Sequence, residues 1–259
     1  METILQALVF IVGSVVVALF GVLHVRRRVP LTVQMEQNEV AGFFIAVLGV
    51  VYGVLLAFAV ILVWEQFEDA RIIAEQEANE VGDVYHLANG LNGPVCTQIQ
   101  TAAIEYAKVV MHQEWPLMAS RVESPPAWRT LGSIWSPIWQ FTPSNPSEEA
   151  IYAALLQRMD NLTDARRMRL LASRARVPKL IWGVLIGGGV VTVLFTYFFG
   201  IKNRRAQMAM TSLYVASIGF VLFLVAAIDH PYAGAISIQP EALELVLWRI
   251  ETIENAGCR

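Results

Sequence analysis

The chain has 259 residues, of which 56% are hydrophobic and only 16% are charged, and its formal net charge is −3. Soluble domains carry about a quarter charged residues, so part of this chain must lie in a lipid bilayer. The weakly acidic balance gives no overall positive field, and nucleic acid is excluded as an expected partner.

The first two apolar runs are each long enough to cross a bilayer as a helix. Residues 4–23 are followed by the basic cluster Arg26–Arg28, and residues 40–64 contain no Asp, Glu, Lys, Arg or His. A signal peptide would carry its positive charge before the apolar core, whereas here three arginines follow it, so we expect the first run to be retained. Residues 1–64 are therefore predicted to form a transmembrane hairpin.

The helical pattern of the second run does not stop at Trp64. Small and apolar residues continue at steps of three and four, and acidic residues that include Glu77 are assigned to the other faces. This pattern predicts one long helix that leaves the membrane and ends near Asn89. A second helix is predicted from Cys96 to Glu114. Residues 65–179 are thus expected to form a soluble helical segment.

The middle of this segment is rich in proline. Five prolines lie between Ser124 and Pro146, which predicts an ordered loop or short turns instead of a long helix. A further helix is expected to begin with Ser147 as its N-cap and to run toward Arg176.

Two more apolar runs, residues 180–201 and 208–228, predict a second transmembrane hairpin over residues 180–228. Their connection contains Lys202, Arg204 and Arg205, which favours a turn at the membrane surface. Residues 229–259 are predicted to form an amphipathic tail with a helix from Pro240 to Glu254, whose apolar side holds Leu243, Val246, Leu247, Ile250 and Ile253. The predicted fold is an all-α membrane protein with four transmembrane helices in two hairpins and a helical soluble segment inserted between the second and third helices.

No motif for catalysis, nucleotide binding or metal binding is present, and the four histidines are scattered. We therefore expect neither an enzyme nor a cofactor or metal. Cys96 and Cys258 are far apart in sequence and belong to no Cys-x-x-Cys pair, so free thiols are predicted. The four spans contain no ionisable Asp, Glu, Lys, Arg or His, which argues against an ion-coupled carrier.

The second span carries a stripe of small residues that repeats at helical spacing. Such a stripe favours close helix packing, and pore lining is the alternative interpretation. Its members are Gly42, Ala46, Gly49, Gly53 and Ala57. Bulkier residues that lie off the stripe could narrow a pathway, and these are Phe43, Phe44, Ile45 and Tyr52.

Charged residues lie near the ends of the spans. Glu65, Glu68 and Asp69 follow the second span, where a symmetric oligomer would gather them into a ring at a pore mouth, although a solvated helix face is the simpler interpretation. A basic run precedes the third span and is expected to anchor to anionic headgroups, with contacts to the acidic helix as the alternative. The run consists of Arg166, Arg167, Arg169, Arg174, Arg176 and Lys179.

Several blocks of the sequence resemble the bacterial bestrophin-like family. They are NEVAGFFIAVLGVVYGVLLAFAVILVWEQFEDA with the downstream EQEANEV, then DARRMRLL, the run from Pro178 to FGIKN, and DHPYAG with QPE. The resemblance implies kinship with bestrophins, which are oligomeric anion channels, chloride channels among them, with a pore lined by the second helix. The resemblance therefore implies passive conduction of small inorganic ions by a homo-oligomer, with a pentamer as one candidate. A non-conducting membrane scaffold whose soluble segment binds a protein partner is the alternative.

The expected location is a bacterial inner membrane, with several crossings and with both chain ends on the side of the soluble segment. The positive-inside rule gives opposite answers here. The arginines of the two turns favour a cytoplasmic position for the turns, whereas the basic run before the third span favours a cytoplasmic soluble segment. The resemblance inclines the expectation toward a cytoplasmic soluble segment.

Overall fold

The computed structural model describes residues 2–120, 122–234, 236–252 and 258, and throughout these residues the regular structure is helical, with no strand. The expectation of an all-α chain is therefore confirmed. In chain order the helices are α1 (Glu2–Arg28), α2 (Leu31–Glu36), α3 (Asn38–Ala88), α4 (Pro94–Val109), α5 (Trp115–Met118), α6 (Pro125–Gln140), α7 (Pro146–Ala172), α8 (Lys179–Thr196), α9 (Arg204–Ile228) and α10 (Glu241–Thr252), and a π-helical turn over Val110–Glu114 joins α4 to α5.

The chain divides into two compact units. Unit 1 comprises Met1–Glu65 and Arg176–Asp229, and unit 2 comprises Gln66–Ala175 and His230–Arg259. Among the described residues, four helices are long and apolar enough to cross a membrane, and they are α1, α3, α8 and α9. Their arrangement as two hairpins in a bilayer stays a prediction.

In unit 1, α2 and the start of α3 pack against the connection after α8. The side chain of Asn38 donates to the carbonyl oxygen of Gly200 at 3.0 Å and accepts from its backbone nitrogen at 2.9 Å. A Cβ at Gly200 would lie 2.6 Å from the backbone nitrogen of Met35, so only glycine allows this approach. Along the helices, α1 packs on α9, where Ile11 covers Gly219.

Unit 2 has its own apolar core, formed by the last part of α3 with α4, α6, α7 and α10. In α3 the core-facing positions are small, and Ala70, Ala74 and Ala78 are at most 4% exposed. Small side chains let neighbouring helices approach closely. Larger residues on those neighbours, such as Tyr106 and Leu155, fill the remaining space.

The long helix and the tail were predicted well. The second span continues without a break to Ala88, one residue before the predicted end, and α4 with its π-helical turn covers the helix predicted from Cys96 to Glu114. In α10 the apolar face is buried as predicted, at Leu243, Val246, Leu247 and Ile250. Ile253, which completes the predicted stripe, lies outside the described residues.

The prediction of a loop between Ser124 and Pro146 is wrong, because α6 occupies most of it. Pro125 and Pro126 are in the first turn of α6, where the missing N–H has no intrahelical partner to lose. Ser124 caps the helix by accepting from the backbone nitrogen of Ala127. The predicted N-cap of the following helix is also wrong by two residues, because Asn145 caps α7 and accepts from Glu148.

Candidate functional site

One face of α3 is fixed inside unit 1. Tyr52, Leu56, Ala59 and Val63 are all buried, and the Tyr52 hydroxyl donates to the carbonyl oxygen of Leu185 on α8 at 2.8 Å. The sequence suggested Tyr52 as a constriction residue. We do not retain it, because its side chain packs against α8 and its hydroxyl is occupied.

The opposite face of α3 is open. Each residue advances about 100° around an α-helix, so the residues half a turn from the buried face form a continuous ridge. Its members are large apolar side chains that are 49–69% exposed, and we call them the α3 ridge: Phe43, Val47, Val50, Val54, Phe58 and Ile61. Of these six residues, the sequence pattern indicates only Phe43 as a pore candidate, because hydropathy does not distinguish the two faces of a uniformly apolar helix.

The other two candidates lie beside this ridge. Phe44 is 53% exposed and points about 100° away from Phe43, while Ile45 is half-buried toward the packed face. Phe43 and Phe44 contact each other edge to face, with ring centroids 6.2 Å apart.

The stripe of small residues lies between the buried face and the α3 ridge. Ala46, Gly53 and Ala57 are exposed, and Gly42 and Gly49 are half-buried. In the described part of the chain, no atom outside the local backbone lies within 4 Å of a Cβ built at Gly49 or Gly53. The packing predicted for this stripe is therefore not made within one chain at these two glycines.

The three carboxylates after the second span differ in their surroundings. Glu65 and Asp69 are exposed. Glu68 accepts hydrogen bonds from Arg71, which lower the pKa of its carboxyl group. Glu65 therefore stands as the charge nearest to the end of the α3 ridge, because it continues the same helical face.

Unit 2 contains a buried ionic cluster that joins three helical segments. Its charged members are Glu77 on α3, Glu114 in the π-helical turn, and Arg166 and Arg169 on α7, each at most 1% exposed. Arg166 donates to both carboxylate oxygens of Glu114, at 2.6 and 3.2 Å. Arg169 bridges the two carboxylates, because it donates to Glu114 at 2.6 Å and makes two bonds to Glu77.

Tyr106 completes the cluster by donating its hydroxyl to Glu77 at 2.6 Å. Burial and the charge of Glu77 raise the pKa of this phenol well above its ordinary value. Burial alone would raise the pKa of Glu114, yet the hydrogen bonds and charges of Arg166 and Arg169 lower it. The formal charges of the two carboxylates and the two guanidinium groups sum to zero.

Two tryptophans cover the guanidinium groups. The Arg166 Cζ atom lies 4.1 Å from the ring centroid of Trp128, and the Arg169 Cζ atom lies 5.1 Å from that of Trp115. Both contacts are within the range of cation–π attraction.

The prediction of a basic membrane anchor is wrong for Arg166 and Arg169. A side chain that is buried in a protein core cannot reach lipid headgroups. Arg167 pairs with Asp164 and Arg174 pairs with Glu123 at 2.7 Å, both at the surface of unit 2. The alternative, contacts with the acidic helix after the second span, is what Arg169 makes through Glu77.

The carboxylates of this cluster were missed, although the sequence carries a signal for them. Glu77 lies in the series Ala70, Ala74, Glu77, Val81, whose steps of four and three mark the core face of α3. Assigning Glu77 to another face of the helix was therefore wrong. The same steps place Glu114 and the two arginines on the core faces of their own helices.

The prediction of two free thiols is wrong as well. Cys96 on α4 and Cys258 form a disulfide across 162 residues of sequence. A large separation along the chain does not prevent two thiols from meeting in the fold. No group of three or more His, Cys, Asp or Glu side chains suited to a metal ion occurs among the described residues.

Comparison with known proteins gives one family and several related folds. The model of the Bestrophin-like domain matches residues 12–243. A point variant of a bacterial bestrophin homologue from Klebsiella pneumoniae superposes with a TM-score of 0.66 at 14% identity, over 97% of this chain and 100% of that one. The solved structure of a membrane-protein variant gives a TM-score of 0.70 at 13% identity, over 99% of both chains. No curated protein is a significant match to the chain.

Proposed function

The chain belongs to the bestrophin-like family, and from this premise we propose that it assembles into an oligomeric channel that conducts ions passively along α3. We propose further that the conducted ions are small anions such as chloride and nitrate. Anion preference rests on kinship with bestrophins. The oligomeric assembly and the conduction path along α3 rest on the exposed faces of the second span.

The observation that carries the proposal is the open face of α3. One face of the helix is fixed by Tyr52 and its neighbours, while the α3 ridge and the stripe of small residues are uncovered by the rest of unit 1. In a ring of subunits, the stripe would pack on the neighbouring copy and the ridge would face the axis. In this arrangement the stripe of small residues and the α3 ridge each have a role, which explains why they lie side by side on one helix.

An apolar ridge is suited to gating. A narrow apolar constriction excludes water, so ions cross it only when it widens or when wetting becomes favourable. Because the predicted spans contain no ionisable Asp, Glu, Lys, Arg or His, no side-chain proton relay or coupling-ion site of the kind found in carriers is expected at depth. The absence of such side chains from the spans supports passive conduction over ion-coupled transport.

We propose that Glu65 adjusts ion selectivity at one end of the α3 ridge. A ring of carboxylates raises the local concentration of cations and lowers that of anions. In an anion channel Glu65 would therefore act as a partial barrier, and reversing its charge should increase anion flux.

Self-association is part of the proposal, with a pentamer as one candidate, and the proposed location is a bacterial inner membrane. Stoichiometry measured on the detergent-purified protein, followed by ion flux from liposomes holding the same preparation, tests the assembly and the conduction together. An oligomer with chloride flux above empty liposomes supports the channel. A monomer at every concentration contradicts the assembly, and an oligomer without flux of any small ion favours the scaffold whose soluble unit binds a partner.

A further inference from the structure

The two cysteines of the chain are joined, and this restricts where unit 2 can fold. Cys96 is fully buried in α4, and its Cα atom lies 5.8 Å from that of Cys258, within the usual range for a disulfide. The Cys258 sulfur also lies 3.2 Å from the side-chain oxygen of Gln100, one turn along α4 from Cys96. The bridge is therefore seated in the core of unit 2.

Disulfides of this kind form and persist in oxidising compartments. In the cytoplasm of most bacteria, thioredoxin and glutathione keep thiols reduced, whereas the periplasm oxidises them. A structural bridge inside unit 2 thus indicates that unit 2 lies outside the cytoplasm.

The basic residues give the same orientation once they are sorted by their place in the fold. Arg166, Arg167 and Arg169 lie on α7, inside a folded unit of more than 100 residues, and two of them are buried ion-pair members. The positive-inside rule applies to short connections, because long segments and domains are translocated largely regardless of charge. The run that made the rule ambiguous is therefore mostly part of a domain, and only Arg176 and Lys179 remain beside the third span.

The two short connections carry the charges to which the rule applies. Arg26–Arg28 lie in the last turn of α1, beside the first connection, and Lys202, Arg204 and Arg205 lie before and within the start of α9. Arg26 links the two connections, because it donates to the side chain of Gln207 at 2.6 Å and to the carbonyl oxygen of Lys202 at 3.1 Å. Six basic residues thus gather at the same end of unit 1.

We propose that the two connections of unit 1 face the cytoplasm and that unit 2 lies on the opposite, periplasmic side, where Cys96 and Cys258 are oxidised to a disulfide. Two thiols lose two protons and two electrons in this step, and the thiol-oxidising system of the periplasm accepts the electrons. This orientation reverses the expectation drawn from the sequence. It is independent of whether the protein conducts ions.

Accessibility of single cysteines in intact cells tests the orientation. In a Cys96→Ser, Cys258→Ser background, Thr142→Cys places an exposed thiol in unit 2 and Gln37→Cys places an exposed thiol in the first connection. A membrane-impermeant maleimide that can cross the outer membrane should label Thr142→Cys without lysis and Gln37→Cys only after lysis. The reverse pattern overturns the proposal, and full labelling of both proteins after lysis and denaturation serves as the control for expression.

The oxidation state of the wild-type chain is measured in the same cells. After acid quenching and denaturation, a PEG-maleimide should add nothing before reduction and two groups after it, matching the two cysteines of the sequence. The Cys96→Ser variant is the control and should add one group before reduction. Two reactive thiols in the wild-type protein before reduction would contradict the bridge.

Discussion

Removing one charge from the buried ionic cluster is expected to destabilise unit 2 strongly. Arg169→Met keeps most of the side-chain volume and removes the charge that bridges Glu77 and Glu114. Glu114 keeps its bond to Arg166, whereas Glu77 is left with only the Tyr106 hydroxyl. A cluster that sums to zero in the native protein would then hold one uncompensated negative charge.

The expected cost follows from the burial of that charge. Glu77 and Arg169 are both fully buried, and breaking a buried ion pair by removing one partner costs about 3–5 kcal/mol. For a chain of this size that loss corresponds to an apparent Tm decrease of about 6–20 °C. Arg167→Met is the matched control, because Arg167 lies two residues away on α7 and its pair with Asp164 is exposed to solvent.

Thermal unfolding of the detergent-purified protein, followed by tryptophan fluorescence, measures the difference. The fluorescence of Trp115 is expected to change when the cluster unfolds, because its ring lies over the guanidinium group of Arg169. The double variant Glu77→Gln, Arg169→Met restores the charge balance and should be more stable than Arg169→Met alone. If Arg169→Met unfolds within a degree or two of Arg167→Met, or if the double variant is less stable than the single one, the reasoning from buried charge is wrong.

Three further predictions concern the channel and the pH dependence of unit 2. Phe43→Ala shortens a side chain of the α3 ridge and should increase ion leak from liposomes by widening the constriction, whereas the neighbouring Phe44→Ala, about 100° away on the helix, should change flux little. Glu65→Lys should raise the ratio of chloride to potassium flux, measured as a reversal potential under an ion gradient. Because Arg166 and Arg169 lower the native pKa of Glu114, its charge stabilises unit 2 above the unfolded pKa of about 4.3, and that contribution should be lost as pH falls below this value toward the native pKa. Unfolding midpoints measured from about pH 7 to about pH 3 should therefore fall less steeply in Glu114→Gln than in the wild-type protein.

Each of these has a result that would contradict it. Equal flux through Phe43→Ala and Phe44→Ala would mean that the ridge does not face the conduction path. An unchanged reversal potential in Glu65→Lys would place this carboxylate away from the mouth. A Glu114→Gln variant with the full acid dependence would assign that dependence to other carboxylates.

The sequence predicted the features that depend on local periodicity. Long uncharged apolar runs and steps of three and four residues were enough to place the spans and to extend α3 to Ala88. The proline-rich region was misjudged because the position of a proline within a helix matters more than its presence. Pro125 and Pro126 lie in a first turn, and Pro137 is tolerated near the end of α6.

Features that depend on contacts between distant residues could not be predicted in this way. Arg169 meets Glu77 across 92 residues, and Cys96 meets Cys258 across 162. Periodicity places Glu77, Arg169 and Cys96 on the core faces of their helices but does not identify the residues that they contact. The α3 ridge was hidden for a related reason, since only the packing of Tyr52 against α8 shows which face of the second span remains open.

The central claim, that the second span lines an ion path, is tested most directly by thiol modification of the open face. Val54→Cys lies on the α3 ridge and Leu55→Cys lies about 100° away, and both wild-type side chains are exposed in the single chain. A charged methanethiosulfonate reagent should change chloride flux through Val54→Cys liposomes strongly and leave Leu55→Cys flux close to that of wild-type protein. Flux through Val54→Cys that is unaffected by complete modification would contradict the claim.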